Sequence, residues 1–175
     1  MQVRLYFALC PDEAIRLQLA RPCLPLARES SGRAVYPVSL HLTLAFLGQV
    51  DTKQVAAIEA IGDQLQGTPF TYTINIAGCF PRAHVAWLGG KETPWPLLDL
   101  QKNLTSLLAT AQHGHDTRAF RPHITIARDI QTPFDDRAIT PVRWPIDRFC
   151  LVAVRSTPGG REYEILKTWP LRIAE

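Results

Sequence analysis

The sequence predicts an α+β fold: two lobes related by an approximate two-fold, with antiparallel sheets and flanking helices around a central cleft. Three observations lead there. Strand-like and helix-like segments are mixed, with hairpins and no glycine-rich dinucleotide turn. Each half of the chain holds a helix and a strand that opens on histidine. Those two strands are worded alike, HLTLAF from His41 and HITIAR from His123.

Taken in order, residues 3–9 (VRLYFAL) are rich in aromatic and branched side chains and read as a first strand. Pro11, Asp12 and Glu13 then signal a helix start, with Ile15, Leu19 and Leu26 facing inward. Pro22 and Pro25 should break or kink that helix. SSGRAVYPVS is loop, with a short strand at Ala34–Tyr36. LHLTLAFLG is a strand stopped by Gly48. Asp51 caps a helix whose stripe is Val55, Ile58 and Leu65. FTYTINIAG alternates and is a strand, as is HVAWLGG. PWPLLDLQKNLTSLLATAQ is a helix with Leu97, Leu100, Leu104, Leu107 and Leu108 on one face. HITIAR, DRFCLVAVRS and REYEILKTWPL are strands, the last two joined by a TPGG hairpin turn. Residues 129–145 carry Pro133, Pro141 and Pro145 and read as irregular.

A chain of 175 residues suffices for one good core, so residues 1–175 are expected to form one domain built of two pseudo-symmetric lobes. With 46% hydrophobic and 20% charged residues, disorder is excluded for most of it. A net charge of +3 permits a polyanionic partner without arguing for one. Of the cations, 15 are arginines, whose planar guanidinium suits phosphate, although genomic bias explains the count equally well. Cys10, Cys23, Cys79 and Cys150 show no metal-ligand spacing and read as reduced, partly buried thiols. The N-terminus has no signal-peptide pattern and no apolar run approaches spanning length, so a cytoplasmic protein without membrane contact is expected.

On a strand, His41 and Thr43 share a face, as do His123 and Thr125. Their apolar neighbours Leu42, Leu44, Ile124 and Ile126 take the other face. A two-fold would bring both imidazole–hydroxyl pairs to one cleft. Imidazole titrates near neutrality, so one can accept a proton while the other donates one. Displacement at phosphorus needs that: a base for the nucleophile and an acid for the leaving oxygen. Threonine hydroxyls can hold the non-bridging oxygens through the transition state. The arrangement demands no metal and no cofactor. A lone His-x-Thr is a weak signal; a doublet whose flanking residues also agree is much stronger.

These motifs, with RLYFAL at the start, VAWLG in the middle and YEILKTWPL at the end, resemble the 2H phosphoesterase superfamily. Within it the chain looks like the bacterial RNA 2′,3′-cyclic phosphodiesterase branch, historically 2′-5′ RNA ligase (LigT-like). The resemblance implies metal-independent hydrolysis of an RNA-terminal 2′,3′-cyclic phosphate to a 2′-phosphate. By that analogy His41 gives the proton to the 3′ oxygen, His123 activates water, and Thr43 and Thr125 hold the phosphate. Joining of tRNA halves through a 2′-5′ linkage would be the reverse reaction. A small cyclic nucleotide, a 2′-5′ oligonucleotide, or an RNA-end binding module without turnover are the competing readings. A monomer is the default expectation.

Other residues have weaker claims. Arg128 could bind phosphate, but strict alternation points it away from His123 unless a bulge intervenes. Arg121 has the right parity, although Pro122 can reorient it. Many relatives carry another residue where His84 stands; a half-exposed histidine at a strand start is the plainer reading. Tyr6, Phe7, Phe46 and Trp87 could stack on a base, though strand aromatics are more often core. His113, His115 and Asp116 resemble a metal cluster but read better as a solvated loop.

Overall fold

The computed structural model describes residues 1–114, 116–157 and 160–172. Its strands are β1 (Gln2–Leu9), β2 (Arg33–Ala34), β3 (Leu42–Asp51), β4 (Phe70–Phe80), β5 (Val85–Gly89), β6 (Ile124–Arg128), β7 (Arg137–Ile146), β8 (Arg148–Thr157) and β9 (Gly160–Pro170). The helices are α1 (Glu13–Ala20), α2 (Cys23–Glu29), α3 (Val55–Gln64) and α4 (Trp95–Thr110). Among the described residues the strands form one sheet in the order β7-β4-β5-β6-β3-β1-β8-β9, with β2 alongside β6. The pairings are antiparallel.

That order splits into two four-stranded halves, and the two-fold runs between β6 and β3. β3 and β6 meet through one antiparallel pair, Leu42 with Ile124, and β2 covers the rest of that edge of β6 through Arg33 with Arg128 and Ala34 with Ala127. β1, the α1–α2 pair and β3 on one side correspond to β5, α4 and β6 on the other. The predicted pair of sheets is thus one sheet with a narrow waist.

Helices cover one face. Ile15 and Leu19 of α1, Leu26 of α2, Ile58 and Ile61 of α3 and Leu97, Leu100, Leu104 and Leu108 of α4 join Leu5, Phe7, Leu42, Leu88, Ile126 and Leu151 in a single apolar core. A second, smaller cluster draws on strand residues and Cys10: Tyr6, Ala8, Cys150 and Val152, with Cys10, Phe46 and Val154 against them. It lies on the other face, because Tyr6 and Ala8 alternate with Leu5, Phe7 and Leu9.

Local chemistry explains most boundaries. The Asp12 carboxylate accepts from the Ile15 N–H at 2.9 Å and caps α1. Pro22 separates α1 from α2, whereas Pro25 is accommodated in the first turn of α2, where no N–H is needed. Asp51 caps a single 3-10 turn, Thr52–Gln54, that leads into α3. The short strand falls at Arg33–Ala34, ahead of its predicted place.

Two expectations are corrected. Gly48 does not stop β3; it takes a φ of 72° at a register shift and the strand continues to Asp51. Residues 137–146, expected to be irregular, form the edge strand β7, with Val142, Trp144 and Ile146 buried in alternation. An edge strand has N–H groups that no neighbour requires, so it tolerates proline. Pro145 pairs with Thr71, and Pro141 sits in the irregularity opposite Ile74–Ile76. Of the predicted TPGG turn, Pro158 and Gly159 lie outside the described residues; the flanking pairing runs to Thr157 with Gly160.

One contact sets a steric limit. A Cβ on Gly62 of α3 would lie 2.4 Å from Trp169 Cζ2. The ring cannot slide: it stacks on Phe149 at 5.1 Å, and its Nε1 donates to Asp63 at 2.6 Å. Gly62→Ala should therefore lower the urea midpoint, with overpacking of about 1–3 kcal/mol outweighing roughly 1 kcal/mol of helix propensity. An unchanged or raised midpoint would show that the ring yields.

Candidate active site

His41 and His123 stand immediately before β3 and β6, and the pair that joins the half-sheets is formed by the next residue of each. One step either way along that register sets His41 across from Thr125, and His123 across from Thr43. Leu42 and Ile124 are fully buried in the core, so these four polar side chains take the helix-free face. All four are half-buried. The doubled motif is thereby crossed: each histidine faces the threonine of the other half.

Both rings are held alike. His41 Nδ1 lies 2.7 Å from the Ser39 carbonyl oxygen, and His123 Nδ1 lies 2.6 Å from that of Arg121. A carbonyl can only accept, so each Nδ1–H donates and each neutral ring keeps its lone pair on Nε2. Two carbonyls placed two residues upstream thus fix both tautomers.

Equivalent bulges follow the motifs. Thr43 pairs with Ala8 but Ala45 with Phe7, leaving Leu44 as the extra residue. Thr125 pairs with Trp87 but Ala127 with Ala86, leaving Ile126 extra. Parity is reset each time. Phe46, opposite Tyr6, returns to the face of Thr43; Arg128, opposite Val85, returns to the face of Thr125. The alternation that pointed Arg128 away is overturned by this bulge. Its guanidinium acts on His41, His123 and Tyr6 together. Phe46 and Arg128 occupy the same place in the two halves, and there the symmetry fails.

Electrostatics favour neutral imidazoles. Burial pushes His41 below the usual imidazole value; the Ser39 carbonyl opposes this, while Arg128 and His123 add to it. Burial likewise lowers His123 against the Arg121 carbonyl, with help from Arg128 and Arg118. Tyr6 stacks on His41 at 4.7 Å, and its own hydroxyl is held far above the ordinary phenol range, chiefly by burial. Phe80 meets His123 edge-on at 5.0 Å and stacks with Trp87 at 5.4 Å. Gly78 makes room for that indole: a Cβ there would lie 2.5 Å from Trp87 Cζ2.

The remaining candidates separate. Phe7 is fully buried in the core and cannot stack on a ligand. Tyr6, Phe46 and Trp87 are on the helix-free face, with the Arg4 guanidinium 4.7 Å above the Phe46 ring. Arg121 contributes its carbonyl, and its side chain is exposed. His84 has a φ of 53° and bonds Ile130 O through Nδ1 at 3.1 Å, at the end of β5 remote from His123. It braces a turn, in keeping with the plainer reading. His115 lies outside the described residues, and Asp116 pairs with Arg118. Among the described residues no group of three or more His, Cys, Asp or Glu could hold a metal ion. Sequence reasoning missed Phe80, Arg118 and Tyr163, the last 6.2 Å from His41. Alternation in β9 could have pointed to Tyr163; nothing local marked Phe80.

Comparison with known proteins shows the family and the fold. A family model described as the 2′-5′ RNA ligase superfamily matches residues 11–157. The RNA 2′,3′-cyclic phosphodiesterase of Escherichia coli K12 is 33% identical over 172 residues, covering 96% of each chain. The crystal structure of E. coli LigT in apo form superposes with a TM-score of 0.85 at 32% identity, covering 98% of this chain and 99% of that one. The same protein complexed with 3′-AMP gives a TM-score of 0.84 at 31% identity, with the same coverage.

Proposed function

Since the chain belongs to the 2′-5′ RNA ligase superfamily, we propose that it hydrolyses RNA-terminal 2′,3′-cyclic phosphates to 2′-phosphates without a metal. His123 Nε2 takes a proton from water as the water oxygen bonds to phosphorus. The bond from phosphorus to O3′ breaks, and His41, entering protonated, gives its proton to O3′. Thr43, Thr125 and Arg128 hold the non-bridging oxygens, whose charge is greatest in the transition state. One imidazole ends protonated and the other neutral, and exchange with solvent resets the pair.

The observation that carries this reading is the crossed register. It sets two imidazoles with free Nε2 atoms beside two hydroxyls on one open face, with a guanidinium on the same side. An acid and a base on opposite sides of one phosphorus fit that frame. Run backwards with a 5′-hydroxyl in place of water, the same groups would form a 2′-5′ linkage, and tRNA halves are substrates of suitable form. Both histidines come from one chain, so a monomer completes the site; we place it in the cytoplasm.

The test is hydrolysis of a short RNA ending in a 2′,3′-cyclic phosphate, in excess chelator, with 2′- and 3′-phosphate products resolved. A 2′-phosphate product is expected. A 3′-phosphate would reverse the leaving oxygen, and loss of activity to the chelator would remove the metal-free scheme. No turnover by a folded sample would turn attention to small cyclic nucleotides, 2′-5′ oligonucleotides or binding without chemistry.

A further inference from the structure

Below the His41–Tyr6 stack the helix-free face carries chemistry that phosphoryl transfer does not use. Cys150 lies in β8 opposite Ala8, and Cys10 follows the end of β1 on the same face. Their Sγ atoms are 2.8 Å apart, closer than unbonded sulfurs rest and only a short approach from the bonded distance of about 2.05 Å. Both are free thiols.

The two are not equivalent. Cys150 is 3% exposed, and its thiol also reaches the Ala8 carbonyl at 3.4 Å. Cys10 is half-buried and lines a small cavity with Asp12, Asp147 and Arg148. We propose that Cys10 and Cys150 form a redox-active dithiol, with Cys10 the attacking thiol and Cys150 the resolving one, oxidised by low-molecular-weight disulfides.

The exchange balances. The Cys10 thiolate bonds to one sulfur of the small disulfide, whose other sulfur leaves as a thiolate and takes a proton from solvent. Cys150 then loses its proton and attacks Cys10 Sγ, displacing the second small thiol. One protein dithiol and one disulfide give one protein disulfide and two thiols. The charge environment agrees with the order of attack. The bond from Cys150 lowers Cys10 against burial, with Arg16 assisting. Cys150 is raised by its bond to Cys10 and by burial. The other cysteines have no such partner. Cys23 donates to the Leu19 carbonyl at 3.1 Å and is pushed up to about 12 by burial, and burial also raises Cys79.

The native full chain, incubated with excess oxidised glutathione, alkylated and mapped by mass spectrometry, tests this. Two of the four thiols should disappear, with a linked Cys10–Cys150 peptide, no lasting glutathione adduct, and full reversal by dithiothreitol. Cys150→Ser should trap one glutathione on Cys10, and Cys10→Ser should leave Cys150 unreacted. The proposal falls if wild-type protein keeps a glutathione on Cys10. It also falls if Cys79 or Cys23 reacts instead, or if no thiol is lost until urea unfolds the chain. Wild-type protein alone decides it, whether or not the variants fold.

Discussion

Alanine at position 123 should lower turnover of a cyclic-phosphate RNA end by about 10³-fold or more, the upper range for a positioned acid–base group, while RNA binding stays near that of the parent. The same is expected at position 41. The double variant should be little worse than either single one, because acid and base act as a unit. The pH profile of kcat/KM should be a bell, with one limb from each histidine. Burial lowers both imidazoles, so the singly protonated pair is most abundant on the acid side of the ordinary imidazole value. The alkaline limb should accordingly begin below about pH 6.5. A bound phosphate anion favours the imidazolium, so the bell for kcat should sit at higher pH than that for kcat/KM. Activity of His123→Ala within tenfold of the parent, or a rate that climbs steadily into alkali, would remove the two-histidine scheme.

Arg128→Gln should give the second large effect, and its signature is the direction in which the bell moves. The guanidinium disfavours the imidazolium of both His41 and His123. Without it both values rise, and both limbs of the kcat/KM profile should shift to higher pH. The maximum should fall about 10²-fold, comparable with removing one donor to a developing oxyanion. Arg143→Gln, on the exposed side of β7, serves as control and should change neither. A lower maximum with an unmoved profile would show that Arg128 holds substrate without sensing the histidines. An unchanged maximum would take it out of the site.

Much of this site was legible in the chain because it depends on short-range spacing. His41 with Thr43, and His123 with Thr125, need only strand alternation, and the stripe of α4 needs only helical periodicity. What was hidden depends on a partner strand. Leu44 and Ile126 look like ordinary inward residues, and only pairing with β1 and β5 reveals each as the extra residue that turns Phe46 and Arg128 back to the open face. Pro141 and Pro145 concealed β7 because tolerance of proline depends on being at the edge, a property of the whole sheet. Both histidine tautomers rest on the carbonyls of Ser39 and Arg121, which any residue could supply. Cys10 and Cys150 are 140 positions apart, and no local pattern joins them.

The exchange of Phe46 for Arg128 across the two-fold bears on docking. In a perfectly symmetric groove the two histidines would be interchangeable, and an asymmetric strand end could enter and react in two opposite directions. An apolar ring on one flank and a cation on the other make those directions unequal, as does Tyr6 where the other half has Val85. A fold of two like halves thus acquires polarity, and under the proposed reading an RNA end would enter it in one direction.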